Sequence, residues 1–435
     1  MAWFGRKKDD GVPVRVETTP EPAGEPEPAG LPAPPEANAA GLRSVADHTA
    51  YLLSLVEPLP PFGMSLLEAY DQVVKEDISC LVDVPANSTS RIDGYAVRVS
   101  DLFPGEGDLV AEMRLASGEE WLPLGAVEVV RAGEVLPKGA NAVLPSTYAT
   151  TSAGRVRPLQ GVSEGEYVRA AGEHLAAGTP LLSEGEVLSD RGIGLLASAG
   201  IDKVLVRPRP RVVVISSGEG LVDPGMQLSH GETMDANSFM VAAAARAEGA
   251  TVFRVAVGTS RREDLARTLT DQLIRADLVI STTGGRREDY EAMVSVMSAL
   301  GLVDSVDVAM SPGRTQTFGL VGEDRVPMLM LPGNPVSAYA SFHAFGRPLI
   351  RKLAGTATEI EAQHAIAQGG IRSHLGHLHL LRGRVSTEAG MRRVVPVSRP
   401  YALGELSEAN AFIVLDESTE HVQAGERVKV WMFGS

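Results

Sequence analysis

Apolar positions are sparse until about residue 44, where they begin to recur at helical spacing. Val45, Tyr51, Leu52, Leu55 and Val56 fall on one face, with Ser44 or Asp47 placed to cap the helix. A second stretch at 65–73 predicts another helix. Between 106 and 168 the apolar runs are short and broken by turn residues, as at 125–130 and 139–144, which predicts a small all-β unit. A helix at 189–199 ends at Gly200, a suitable C′ position. From 211 the pattern changes. Continuous apolar runs at 211–216, 251–257 and 278–282 alternate with helical stretches at 237–248, 262–275 and 290–300. Strands near 303–308, 317–320 and 327–331 precede a long helix at 335–354. Continuous apolar strands are buried on both faces, so this segment predicts a doubly wound, mostly parallel sheet. Beyond 355 the runs at 394–397, 411–415 and 427–432 predict a C-terminal β unit.

The fold class is therefore multidomain α/β plus β, with a small all-β insertion, an elongated α+β domain and a C-terminal β domain. The expected boundaries are a Pro/Glu-rich disordered tail at 1–42, the elongated unit at 43–105 plus 169–207, the β unit at 106–168, the α/β unit at 208–355 and the last β unit at 356–435. A chain of 435 residues needs several cores of this kind. The tail is too poor in apolar groups to offset ordering entropy, and only its Trp3-Phe4 tip offers a grip.

Net charge narrows the partners. At −15 the chain repels nucleic acid and anionic membrane. There is one cysteine, Cys80, in the apolar run Cys80-Leu81-Val82, so an intrachain disulfide and a cysteine zinc cluster are excluded, and a buried inert thiol is expected. No run of 18 apolar residues exists, and the first residues lack the order of a signal peptide. A cytoplasmic location is expected.

In a doubly wound sheet, ligands bind beyond the carboxyl ends of the strands. Three loops fall there: Ser216-Ser217-Gly218-Glu219-Gly220, Thr282-Thr283-Gly284-Gly285 and Leu331-Pro332-Gly333-Asn334-Pro335-Val336-Ser337. Pro335 suits a helix N1 position, and free N–H groups at that helix start would bind an anion. The loop Met310-Ser311-Pro312-Gly313-Arg314-Thr315 adds a cation, Arg314, able to pair with phosphate. His374, His377 and His379 lie on a strand or turn with no carboxylate near in sequence and are not assigned to a metal.

Five segments in order carry a resemblance. Asn87-Ser88-Thr89-Ser90-Arg91-Ile92-Asp93-Gly94-Tyr95-Ala96, Gly133 through Val143, Val168-Arg169-Ala170-Ala171-Gly172-Glu173, the intact Leu331-Pro332-Gly333-Asn334-Pro335-Val336-Ser337, and Ala409-Asn410 with Ile413-Val414-Leu415 resemble the signatures of the MoeA / gephyrin E-domain family over residues 44–433. The resemblance implies a MogA-like α/β domain in a homodimer of four-subdomain chains. It also implies insertion of molybdate into adenylated molybdopterin, with release of AMP and help from a divalent metal such as Mg2+. The site would lie between one subunit's α/β domain and the partner's first two subdomains. By resemblance, Asp289 and Asp93 are the catalytic candidates. Ser217, Gly218, Gly284, Gly285, Pro312, Arg314, Gly333, Asn334, Pro335, Ser337 and Arg169 are the cofactor-binding candidates.

The departures fall on chemical positions. Ser88 replaces a signature Asp, His174 an acid, Gly220 a Glu and Ala132 a Thr. The glycine loop is shortened to Gly284-Gly285-Arg286-Arg287-Glu288-Asp289, and Ser311 through Thr315 loses one lysine and exchanges another for Arg314. Three readings follow, the weakest being a carrier or sensor that binds the cofactor without turnover. Of the other two, one is a molybdopterin molybdotransferase with an altered site. The other is a gephyrin-like dimeric scaffold that grips a partner's tail peptide, such as that of a membrane receptor or of FtsZ, with which some actinobacterial relatives of gephyrin are associated in cell division.

Overall fold

The computed structural model describes residues 30–105, 107–397 and 403–434. Six strands make the central sheet: β1 (Arg211–Ser217), β2 (Thr251–Val257), β3 (Leu278–Thr283), β4 (Gly301–Asp307), β5 (Thr315–Val321) and β6 (Val326–Met330). Their order is β2-β1-β3-β6-β5-β4. The first four run parallel, and β5 and β4 close one edge antiparallel. This is the doubly wound sheet the apolar runs predict. Five helices accompany it: α1 (Asn237–Ala247), α2 (Arg262–Leu273), α3 (Arg287–Leu300), α4 (Pro335–Ser341) and α5 (Arg347–Ala354). Val213 and Ile215 of β1 pack with Leu265 and Leu269 of α2 and Met293 and Met297 of α3. The alternate residues Val212 and Val214 are equally buried, so both faces of the sheet are covered.

Two expected helices differ. The stretch 65–73 is strand Phe62–Ser65 followed by turns. One helical turn begins, with Ala69 N–H donating to Ser65 O, but Asp71 adopts φ 61° and its N–H goes to Leu188 O. The apparent helical face is not a core face, since Leu67 stays 82% exposed. The helix expected at 335–354 is α4, a π-turn over Phe342–Gly346, and α5. The turn widens just ahead of Pro348, which has no N–H to donate; the Arg347 N–H reaches back five residues to Phe342 O.

The first β unit is a six-stranded sheet that takes in Gly94–Val97, ahead of the expected start at 106, and runs to Arg155–Pro158. Its core holds Val97, Leu102, Met113, Val127 and Leu144. The elongated unit packs the helix Asp190–Ser198 with Leu188, Val204 and Ala69. The C-terminal strands Leu378–Glu388, Met391–Pro396, Gln363–Ala367, Arg427–Met432 and Ala411–Leu415 pair in a closed ring, because the last also pairs with the first. Met310–Ser311 joins this barrel by parallel pairing with Leu378 and His379.

Order begins before the expected tail end at 42. Asn38 accepts N–H bonds from Ala40 and Leu42, and Leu42 is buried; Trp3-Phe4 lies outside the described residues. Arg43 is 3% exposed, pairs with Asp304 at 2.6 Å and gives its N–H to Asp307 O. Ser44 then caps the helix Val45–Ser54, whose His48 meets Phe345 edge-on. Cys80 is buried beside Val82 O. No helix among the described residues is long and apolar enough to cross a membrane.

Candidate functional site

The carboxyl ends of β1, β3 and β6 deliver the three expected loops to one edge. Ser217 and Thr283 are register partners there. Ser217, Ser281, Thr282 and Thr283 are buried, and none of their hydroxyls has a hydrogen-bond partner. Buried hydroxyls left unpaired cost about 1–3 kcal/mol each, so four together mark an edge built for something other than stability. Sequence reasoning chose Ser217 for this place but not Thr283, whose signal was its position beside Gly284.

Asp289 sits in the first turn of α3 and is 3% exposed. Its Oδ1 accepts the Ser260 hydroxyl, while Oδ2 has no partner. Glycine is required beside it: a Cβ on Gly218 would stand 2.8 Å from that oxygen. Gly285, at φ 86°, lies so close to Gly333 that a Cβ on Gly333 would overlap it. Asn237 fixes the third loop by donating to Gly333 O at 2.7 Å, and its own Oδ1 is buried and unpartnered. Asn237 was missed from the sequence because it reads as an ordinary helix-start residue.

Beside these loops opens a cleft of about 880 Å³, lined by Thr283, Gly285, Arg286, Arg287, Tyr290, Gly313, Arg314, Gly333 and Ser337 among others. Tyr290 donates to or accepts from Thr317 at 2.8 Å, and burial pushes its phenol up. Ser217, Gly218 and Asp289 are not among the residues lining the cleft.

Several expected roles change. The N–H groups at the start of α4 are not free: Asn334 Oδ1 accepts from Val336 and Ser337 at 3.0 and 3.2 Å. Pro335 does hold the first turn. Arg314 is paired with Asp307 at 2.9 Å, and the same carboxylate accepts the Thr315 hydroxyl. Pro312 lines a separate cavity of about 410 Å³ with Arg372, His374 and His379. There burial, then His374 and His377, push His379 down to about 4. Asp93 is exposed and accepts the Ala132 N–H at 2.9 Å; Arg169 pairs in a strand with Thr89. Among the described residues, no hydrogen bond or ion pair joins either to the cleft.

Comparison with known proteins adds the lineage. Residues 43–200 match the MoeA N-terminal region (domain I and II), 213–352 a probable molybdopterin binding domain, and 364–433 the MoeA C-terminal region (domain IV). The chain is 33% identical over 420 residues to molybdopterin molybdenumtransferase 1 of Mycobacterium tuberculosis, covering 89% of this chain and 98% of that one. It is 30% identical over 379 residues to the molybdopterin molybdenumtransferase of Haemophilus influenzae, covering 85% and 93%. The fold is that of a molybdopterin biosynthesis MoeA protein from Pyrococcus horikosii, with a TM-score of 0.71 at 24% identity over 90% of this chain and 99% of that one. With three regional matches in chain order and such identity along nearly the full length of its relatives, the chain belongs to the MoeA family of molybdenum cofactor biosynthesis.

Proposed function

We propose that this chain is a molybdopterin molybdotransferase that takes adenylated molybdopterin in the 880 Å³ cleft and molybdate as its second substrate. The observation that carries the reading is the row of buried, unpartnered hydroxyls ending in Thr283, which lines that cleft. Thr283 offers its donor to an anionic ligand without reorganisation. Gly285 and Gly333 let its backbone neighbours approach closely. The relatives' names support the same activity. In this reading Asp93 and Arg169 reach the cleft from a second copy of the chain, in a homodimer.

Within one copy, these residues fit a divalent cation poorly. Among the described residues no three His, Cys, Asp or Glu side chains converge. Asp289 Oδ2 is a single donor, enclosed against Gly218 and Gly284. Octahedral Mg2+ keeps several waters and needs room for them. No step is therefore routed through a metal.

Complementation tests the reading. The chain expressed in a bacterium without its own molybdotransferase restores nitrate reductase at ordinary molybdate. A soluble, folded protein that fails to do so overturns the assignment and leaves the peptide-binding scaffold.

A further inference from the structure

Three arginines line the cleft, and their charges are not equivalent. Arg287 is paired with Glu291 at 2.7 Å, and Arg314 with Asp307 at 2.9 Å. Arg286 has no carboxylate within ion-pair distance among the described residues. It is the N-cap of the fourteen-residue helix α3. Its Nη2 would lie 3.8 Å from a Cβ on Gly220, a position that also stands close against Gly231 O. Position 220 thus places no carboxylate against the guanidinium.

A lone exposed arginine is ordinarily a solvated one. Here two independent features stand with it. Thr283, 2% exposed, lines the same cleft with an unpartnered hydroxyl. The loop before Arg286 is fixed by the close contact of Gly285 with Gly333, so the residue is delivered from a rigid edge. An unpaired guanidinium, a buried donor and a helix N-terminus facing one cleft select a compact polyanion.

We propose that Arg286 supplies the counter-charge for a phosphoanhydride group in this cleft, so that the ligand binds without a divalent cation. This rests on the proposed function for the location of the ligand and goes beyond it in the class of charge that holds it. A guanidinium offers two parallel N–H donors to phosphate oxygens. It needs no coordination shell, which the enclosed Asp289 could not complete.

The test is calorimetric titration of the full-length protein with ADP as the phosphoanhydride probe, in EDTA and again in excess Mg2+. Binding in EDTA that is equal to, or stronger than, binding in Mg2+ is expected, since Mg2+ masks the charge that Arg286 reads. Arg286→Ala weakens binding in EDTA by roughly tenfold or more, and Arg286→Lys recovers part of it. Arg286→Glu abolishes binding in EDTA. The exposed control Arg267→Ala leaves the affinity as it was. Thermal melts of each variant confirm folding, and a variant that does not fold is replaced in the comparison by Arg286→Lys. Binding that requires Mg2+, binding indifferent to Arg286, or no binding of ADP in either buffer overturns the proposal. Complementation is read separately: a chain that restores nitrate reductase yet binds ADP only with Mg2+ keeps its function and loses this inference.

Discussion

At the scale of single residues, the site depends on contacts that side chains make with their own loops. Asn334 shows this most simply. Its side chain satisfies two N–H groups of α4, so Asn334→Ala lowers stability by about 1 kcal/mol, read as a drop in thermal midpoint. Gly333→Ala goes further, because the added methyl overlaps Gly285; loss of ligand binding in a protein that still melts cooperatively is expected. The sequence makes the Pro-Gly-Asn-Pro loop plain but not its hydrogen-bond ledger. An Asn ahead of a helix competes for the same N–H groups that a phosphate would use. The Arg314 ion pair is hidden from the sequence for a related reason. Asp307 is brought opposite Thr315 only by the register of β4 and β5, a pairing that no local pattern reveals.

At the scale of elements, the long helical segment α4 to α5 gathers buried charge. Glu248 pairs with Arg347 at 2.5 Å and Arg351 at 2.7 Å. Removing it in Glu248→Ala strands two cations and costs about 3–5 kcal/mol in a denaturant titration. His343 sits in the π-turn among Tyr339, Phe412 and Phe433. Burial first, then Arg347 and Arg351, push it down to about 3; burial and Arg43 push His48 down to about 4. The folded state keeps both neutral, whereas the unfolded chain protonates them near 6.5. Their full contribution is present above pH 6.5 and is lost as pH falls toward those depressed values, by about 2 kcal/mol each at pH 5. Stability measured from pH 7 to 4.5 therefore falls, and His343→Phe makes the slope shallower; an unchanged slope would refute this. The strands of the α/β unit were legible because Val212 to Ile215 and Leu278 to Ile280 are continuous apolar runs buried on both faces. The stretch 65–73 was not, because Leu66 and Val73 have helical spacing while the backbone at Asp71 turns to meet Leu188.

At the scale of the whole molecule, the candidate residues divide between units. Asp289 is at the α/β edge and Asp93 in the first β unit, where it holds the Ala132 turn. If a second copy completes the site, Asp93→Ala and Asp289→Ala each lower complementation by on the order of 10²-fold. Co-expression of the two then recovers activity, since mixed dimers carry one intact site. Recovery absent from demonstrably mixed dimers places both residues in one chain's chemistry. Chain order and motif spacing revealed the family and the sheet edge; a site shared between two copies is an expectation of the resemblance alone, because no local pattern encodes assembly. The short strand Met310–Ser311 carries one more consequence. It is stitched to the barrel at Leu378 and His379, and three residues later the chain borders the cleft at Gly313 and Arg314. The barrel and the cleft wall thus share a lever arm only a few residues long. The edge of the barrel and one wall of the cleft are therefore a single short run of backbone, so a displacement of either end is passed to the other with little chain between them to absorb it.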